Sequence, residues 1–223
     1  AGERPVLAML ANGASGDINN INWPGQPEKH PPYEKMEIVA RKVADEALRV
    51  YGSNFWTARA LPLRTGMIEI ETGARKPAPD EIQKARELLQ TAPESSLKTL
   101  PEIYARETVL LADYPDRVTL PIYGLALGEA CAIGLPCEAF CRIGLTIKRA
   151  SPFAETMVVG LANGYYGYLP TREQHLLGGY ETWRARSSYL APETDEAVLQ
   201  AVWRLLDHLA GADAVSITSV SPL

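Results

Sequence analysis

Three polar segments of this 223-residue chain, each following an apolar run, hold the residue types that suit chemistry. The first is Asn12-Gly13-Ala14-Ser15-Gly16-Asp17, continued by Ile18-Asn19-Asn20. The second is Pro136-Cys137-Glu138-Ala139-Phe140. The third is Asn163-Gly164-Tyr165-Tyr166-Gly167-Tyr168, extended by Arg172, Glu173 and Tyr180-Glu181. Loops at strand ends commonly carry function because the scaffold beneath them is rigid. Ser15 suggests a nucleophile elbow, but that motif needs G-x-S-x-G, and the second residue after Ser15 is Asp17. A G-x-G-x-x-G dinucleotide loop is absent as well, since only Gly13 and Gly16 are present. The first segment therefore reads either as an Asn/Gly/Asp turn or as a loop that turns its amides, Asp17 and Asn19 toward a polar substrate. Glu138 could ligate a metal or act as an acid or base. It could equally satisfy the free amides of a helix start. Tyr165, Tyr166 and Tyr168 form an aromatic wall or ordinary edge packing; in a strand, Tyr166 and Tyr168 would share a face.

Cysteine and histidine counts narrow the chemistry. Cys131, Cys137 and Cys141 are odd in number, so they cannot all pair within the chain. Their C-x5-C-x3-C spacing is not a usual zinc spacing, and Cys131 reads as a small buried hydrophobe. His30, His175 and His208 are too scattered for an H-x3-H motif, so a self-contained histidine metal site is not expected. The net charge of −5 argues against broad nucleic-acid binding, which wants a basic face. No uninterrupted apolar run reaches about 18 residues, so no spanning helix is expected. The sequence has no signal-peptide pattern and no initial Met, and it enters the apolar run Val6–Leu10 almost at once. That abrupt start predicts that the chain is part of something longer.

The elements that must position these loops follow from periodicity. Val6–Ala11 reads as a buried strand. Met36, Val39, Val43, Ala47 and Tyr51 fall on one face of a helix over about 33–51, which Gly52 ends. Thr57–Glu71 alternates like a strand. Pro79 to about Thr91 reads as a helix capped by Asp80 with Gln83 closing a capping box, and Leu100–Ala112 as another. Leu120–Pro136 suits a buried hairpin, with Gly128 at the first central position of a II′ turn. A helix over 141–150, a strand over Thr156–Ala162 and a final helix from Thr194 to about Leu209 complete the pattern. In that last helix Val198, Val202, Leu205 and Leu209 point inward. Residues 212–223 read as a trailing strand or a linker. The fold class is α/β or mixed α+β, with a mixed sheet core and flanking helices in a single domain over 1–223.

Taken in order, the blocks Gly16-Asp17-Ile18-Asn19-Asn20, Leu135–Phe140 and Gly160–Tyr168 resemble the catalytic domain of the neutral/alkaline, non-lysosomal ceramidases. Thr171-Arg172-Glu173 and Tyr180-Glu181 continue the likeness, which runs from about Val6 to Leu209. It identifies the chain as the C-terminal portion of a divergent, bacterial-type ceramidase-like catalytic domain.

The resemblance implies a zinc amidohydrolase that cleaves N-acyl sphingosine or a related N-acyl lipid with metal-activated water. It assigns two of the four zinc ligands, Glu138 from the family's PGE segment and Tyr168 from its N-x-Y-x-x-Y block, and makes Tyr180 a catalytic donor. The two zinc histidines of the family lie upstream, in the rest of the same catalytic domain. This chain alone would then bind zinc weakly and be inactive. The family block G-D/N-x-S-P-N carries Asn19 here where its catalytic serine stands. An amide is no nucleophile, but it could donate a hydrogen bond to an oxyanion beside Asp17. The family also implies a secreted or periplasmic location. The alternative function is a non-catalytic relative that binds a lipid or glycan through the tyrosine loop.

Overall fold

The computed structural model describes residues 8–21, 25–26, 28–53, 60–92 and 97–211. They divide into two compact units, one of Ala1–Ile18 with Pro62–Leu223 and one of Asn19–Leu61.

The larger unit is built on a four-stranded mixed sheet. β1 (Leu63–Gly73) and β2 (Arg117–Leu127) pair antiparallel along their whole length, from Leu63 opposite Leu127 to Gly73 opposite Arg117. Alternation sorts their faces, so that Ile68 and Ile70 of β1 and Leu120, Ile122 and Ala126 of β2 are buried. β2 turns back into β3 (Ala130–Gly134), and the pairing of Leu127 with Ala130 leaves Gly128-Glu129 as a two-residue turn. Gly128 alone of the two takes a positive φ, 60°, as the expected II′ turn requires. β3 then pairs in parallel with β5 (Glu155–Val159). Parallel neighbours need a crossover, and α4 (Cys141–Ala150) supplies it, with Ile143 and Ile147 fully buried.

α6 (Thr194–Ala210) crosses the sheet where β1 and β2 carry a facing glycine pair, Gly66 and Gly124. A Cβ on Gly66 would come within 2.8 Å of Leu205, and one on Gly124 within 2.6 Å of Leu209. The two glycines thus let the helix settle close, and Val198, Val202, Leu205 and Leu209 are buried as the helical period predicts. Each such side chain contributes about 1.5–3 kcal/mol when fully buried. α2 (Pro79–Gln90) and α3 (Leu100–Ala112) pack on one another.

Several boundaries differ from the periodicity. α2 begins at Pro79 as expected, but Ala78 is its cap residue and Glu81 rather than Gln83 reaches back, its Oε2 accepting from the Ala78 amide at 2.7 Å. Asp80 therefore sits inside the first turn instead of capping it. Ala8–Ala11 form no strand, and Val6 and Leu7 lie outside the described residues, as do 54–59 and 212–223. β5 stops at Val159 because Leu161 turns the chain with φ 57°. In the smaller unit, α1 (Glu34–Tyr51) forms as expected, but none of its residues is buried. No helix among the described residues is long and apolar enough to cross a membrane. The fold is α+β with a mixed sheet.

Candidate functional site

Because β3 and β5 run parallel, the loops that leave them emerge at the same edge of the sheet, where α/β folds commonly bind ligands. The segment after β3 carries Glu138, and the segment after β5 carries the tyrosines. Their backbones zip together. Ala162 N donates to Leu135 O at 2.9 Å, Leu161 N to Cys137 O at 3.2 Å, and Tyr166 N to Pro136 O at 2.9 Å. The zip ends in a second, two-stranded parallel sheet, β4 (Glu138–Ala139) with β6 (Tyr168–Leu169), in which Glu138 lies opposite Tyr168.

Side chains converge on this pairing. The Tyr165 hydroxyl donates to Glu138 Oε1 at 3.2 Å. The rings of Tyr168 and Tyr180 meet edge to face, with centroids 6.0 Å apart. Burial, the Glu138 charge and the neighbouring Tyr180 together push the Tyr168 phenol far above the usual tyrosine range. Burial and the same carboxylate raise Tyr165. Among the described residues, Glu138 makes no ion pair with Lys or Arg. Glu138 is thus a half-buried carboxylate beside two phenols. Beside Tyr165 opens a cavity of about 480 Å³, walled by Tyr104, Tyr114 and Tyr189 and by the Glu107–Arg186 pair. Of the two readings of the tyrosine cluster, the wall describes Tyr165, whereas Tyr166 and Tyr168 pack on the core.

The first polar segment leans on the same edge. Gly160 N donates to Asn12 O at 3.0 Å, and Gly16 N to Ala139 O at 2.9 Å. Gly16 approaches so closely that a Cβ there would lie 2.2 Å from Glu138 O. Asp17 Oδ1 accepts the Cys141 amide at 2.6 Å. The amide-satisfying role open to Glu138 in the sequence thus falls to Asp17, which holds the start of α4. Asn19 opens the smaller unit and is exposed. His175 and His208 ride on separate helices, α5 (Arg172–Leu177) and α6, and His30 bonds to Glu28 and Glu34. No group of three or more His, Cys, Asp or Glu side chains among the described residues could hold a metal ion.

Two contributors escaped the sequence reading. Tyr165 was visible only as part of a tyrosine-dense block, and spacing does not say which ring meets Glu138. Arg75, just past β1, hydrogen-bonds carbonyls 107 and 113 residues away, and no local pattern marks it.

No family model matches the sequence, and no curated protein matches it. Solved structures do. The crystal structure of neutral ceramidase from Pseudomonas aeruginosa matches over 91% of this chain, with a TM-score of 0.54 and 18% identity. The structure described as ceramidase complexed with C2 matches over 83%, with a TM-score of 0.51 and 19% identity. This chain spans 37% of the first of those chains and 36% of the second. Its fold is that of part of a ceramidase, in agreement with the resemblance carried by the motif blocks.

Proposed function

We propose that this chain forms part of a zinc-dependent amidohydrolase that cleaves the amide of an N-acyl lipid, N-acyl sphingosine or a relative of it. The observation that carries the reading is the meeting of Glu138, Tyr168 and Tyr180, from three separate segments, at one edge of the sheet. Glu138 and Tyr168 would hold the zinc with two further ligands from outside this chain. Their oxygen donors fit a divalent cation, and such an ion would reverse the high pKa of Tyr168 by favouring its phenolate. A zinc ion held there would supply a bound water with a pKa lowered to about 7 and a Lewis acid for the scissile carbonyl. Tyr180, beside Tyr168, is placed to donate to the oxygen that gains charge as the carbonyl is attacked. Tyr165 hydrogen-bonds one oxygen of Glu138 and would help hold that carboxylate in place for a cation. This chemistry needs no serine nucleophile, so Asn19 is compatible with it. The cavity beside Tyr165 gives room for a substrate group next to the reacting bond.

The complete protein tests the reading. Metal analysis should find zinc, and hydrolysis of an N-acyl sphingosine should release fatty acid and be abolished by a chelator. A complete protein with neither zinc nor two histidines able to join Glu138 would instead fit the non-catalytic lipid or glycan binder.

A further inference from the structure

Arg75 hydrogen-bonds the turn that carries Tyr180 and the Ser188 segment that abuts Tyr168. Its Nη1 donates to Thr182 O at 2.8 Å, in the short helical turn Tyr180–Thr182 that presents Tyr180. Its Nη2 donates to Ser188 O at 2.6 Å and to Ser188 Oγ at 2.8 Å. Its own amide donates to Tyr189 O at 2.6 Å. Ser188 follows Ser187, whose carbonyl accepts the Tyr168 amide at 2.8 Å. One planar guanidinium therefore joins the turn of Tyr180 to Ser188, the neighbour of the residue that accepts the Tyr168 amide. No carboxylate pairs with it among the described residues, and its Nε has no partner there. Burial and the neighbouring Arg184 charge lower its pKa to about 10, which still leaves it charged at neutral pH. A half-buried cation with no counter-ion is a costly way to close a loop. A fixed fork, unlike a lysine ammonium, can bind two separate backbone segments at set angles.

We propose that Arg75 is a positioning residue that sets Tyr180 against Tyr168. The proposal rests on the assignment of both tyrosines to the site, and its first readout does not depend on activity. The complete protein is labelled with 3-fluorotyrosine, and the fluorine signals are assigned by Tyr168→Phe and Tyr180→Phe. Arg75→Met should shift or broaden both signals. Arg117→Met, which breaks an exposed pair with Glu71, should leave both in place. With substrate, Arg75→Met should lower kcat by about 10- to 100-fold, the scale of a misplaced reacting group, with KM and zinc content unchanged. Arg75→Lys keeps the charge but not the fork, and should stay impaired. Should Arg75→Met fail to fold, Ser188→Ala removes one of the three acceptors of the guanidinium and should move the same two signals by less. Unmoved tyrosine signals in the folded variants, or full recovery of kcat by lysine, would overturn the proposal. If the wild-type protein shows no amidase activity, the function fails, while the fluorine shifts still decide the role of Arg75.

Discussion

The β1–β2 ladder and the β4–β6 pair are both sheets, and they are held in different ways. The ladder joins eleven residues of each strand, and its inner face is sealed by α6 over Gly66 and Gly124. Its stability is spread over many apolar contacts of similar weight. The β4–β6 pair joins two residues of each strand; Ala139 and Leu169 seat it in the core, while the backbone that presents Glu138 and Tyr168 is tied by single hydrogen bonds: Glu138 N to Gly167 O, Phe140 N to Leu169 O, Tyr168 N to Ser187 O. A region held by burial tolerates the trimming of one contact. A region held by single bonds fixes a few side chains closely and is sensitive to the loss of any one. The candidate chemistry sits on the second kind of support and borrows its rigidity from the first.

If that division is real, damage to each region should read out differently. The largest effect is expected from Glu138→Gln in the complete protein. Zinc affinity should fall by more than the roughly 10- to 100-fold typical of an outer-shell partner, and amide hydrolysis should fall with it. Retention of both would remove Glu138 from the ligand set. Next comes Tyr180→Phe, which should reduce turnover by about 10²–10³ while metal analysis finds the zinc unchanged; loss of zinc would exchange the roles of Tyr180 and Tyr168. Leu205→Ala should lower stability by about 2–5 kcal/mol in denaturant titration and leave zinc content per folded molecule intact. A drop in that ratio would mean that core and site are one unit. Asp17→Ala, which removes the acceptor of the Cys141 amide, should cost about 0.5–2 kcal/mol. Smallest is a matter of rates. Burial raises the thiol of Cys131 to about 11 and that of Cys137 to about 12, so both stay protonated at pH 8. A thiol reagent there should reach the half-buried Cys141 first, by mass spectrometry of the folded protein.

The same contrast explains what could be read in the sequence. The scaffold obeys two periods: the alternation in β2 and the 3.6-residue repeat of Val198, Val202, Leu205 and Leu209. Both were visible, as was the Gly128 turn. The parallel β3–β5 pairing was not, although the elements on either side of the α4 crossover were. The site is made of contacts between distant segments. Glu138, Tyr168 and Tyr180 could be picked out because three blocks stand in a familiar order, not because any period joins them. Strand alternation pairs Tyr166 with Tyr168, yet the chain enters β6 only at Tyr168 and Gly167 bends it with φ 76°. Tyr166 and Tyr168 both pack on the core, and it is Tyr165 that reaches Glu138. The bond of Asp17 to the Cys141 amide was not legible, because its partner lies 124 residues on.

Gly167 and Gly16 share a property that reaches beyond packing. A Cβ at Gly167 would lie 2.4 Å from the Ser187 carbonyl oxygen, and one at Gly16 equally deep in the backbone of Glu138. Every single-base missense change in a glycine codon introduces a side chain with a Cβ, so neither position has a neutral neighbour in mutational space. Drift can explore the cavity wall around Tyr104 and Tyr114, while these two codons stay fixed. In a library of single substitutions scored for function, they should form two empty columns beside permissive ones.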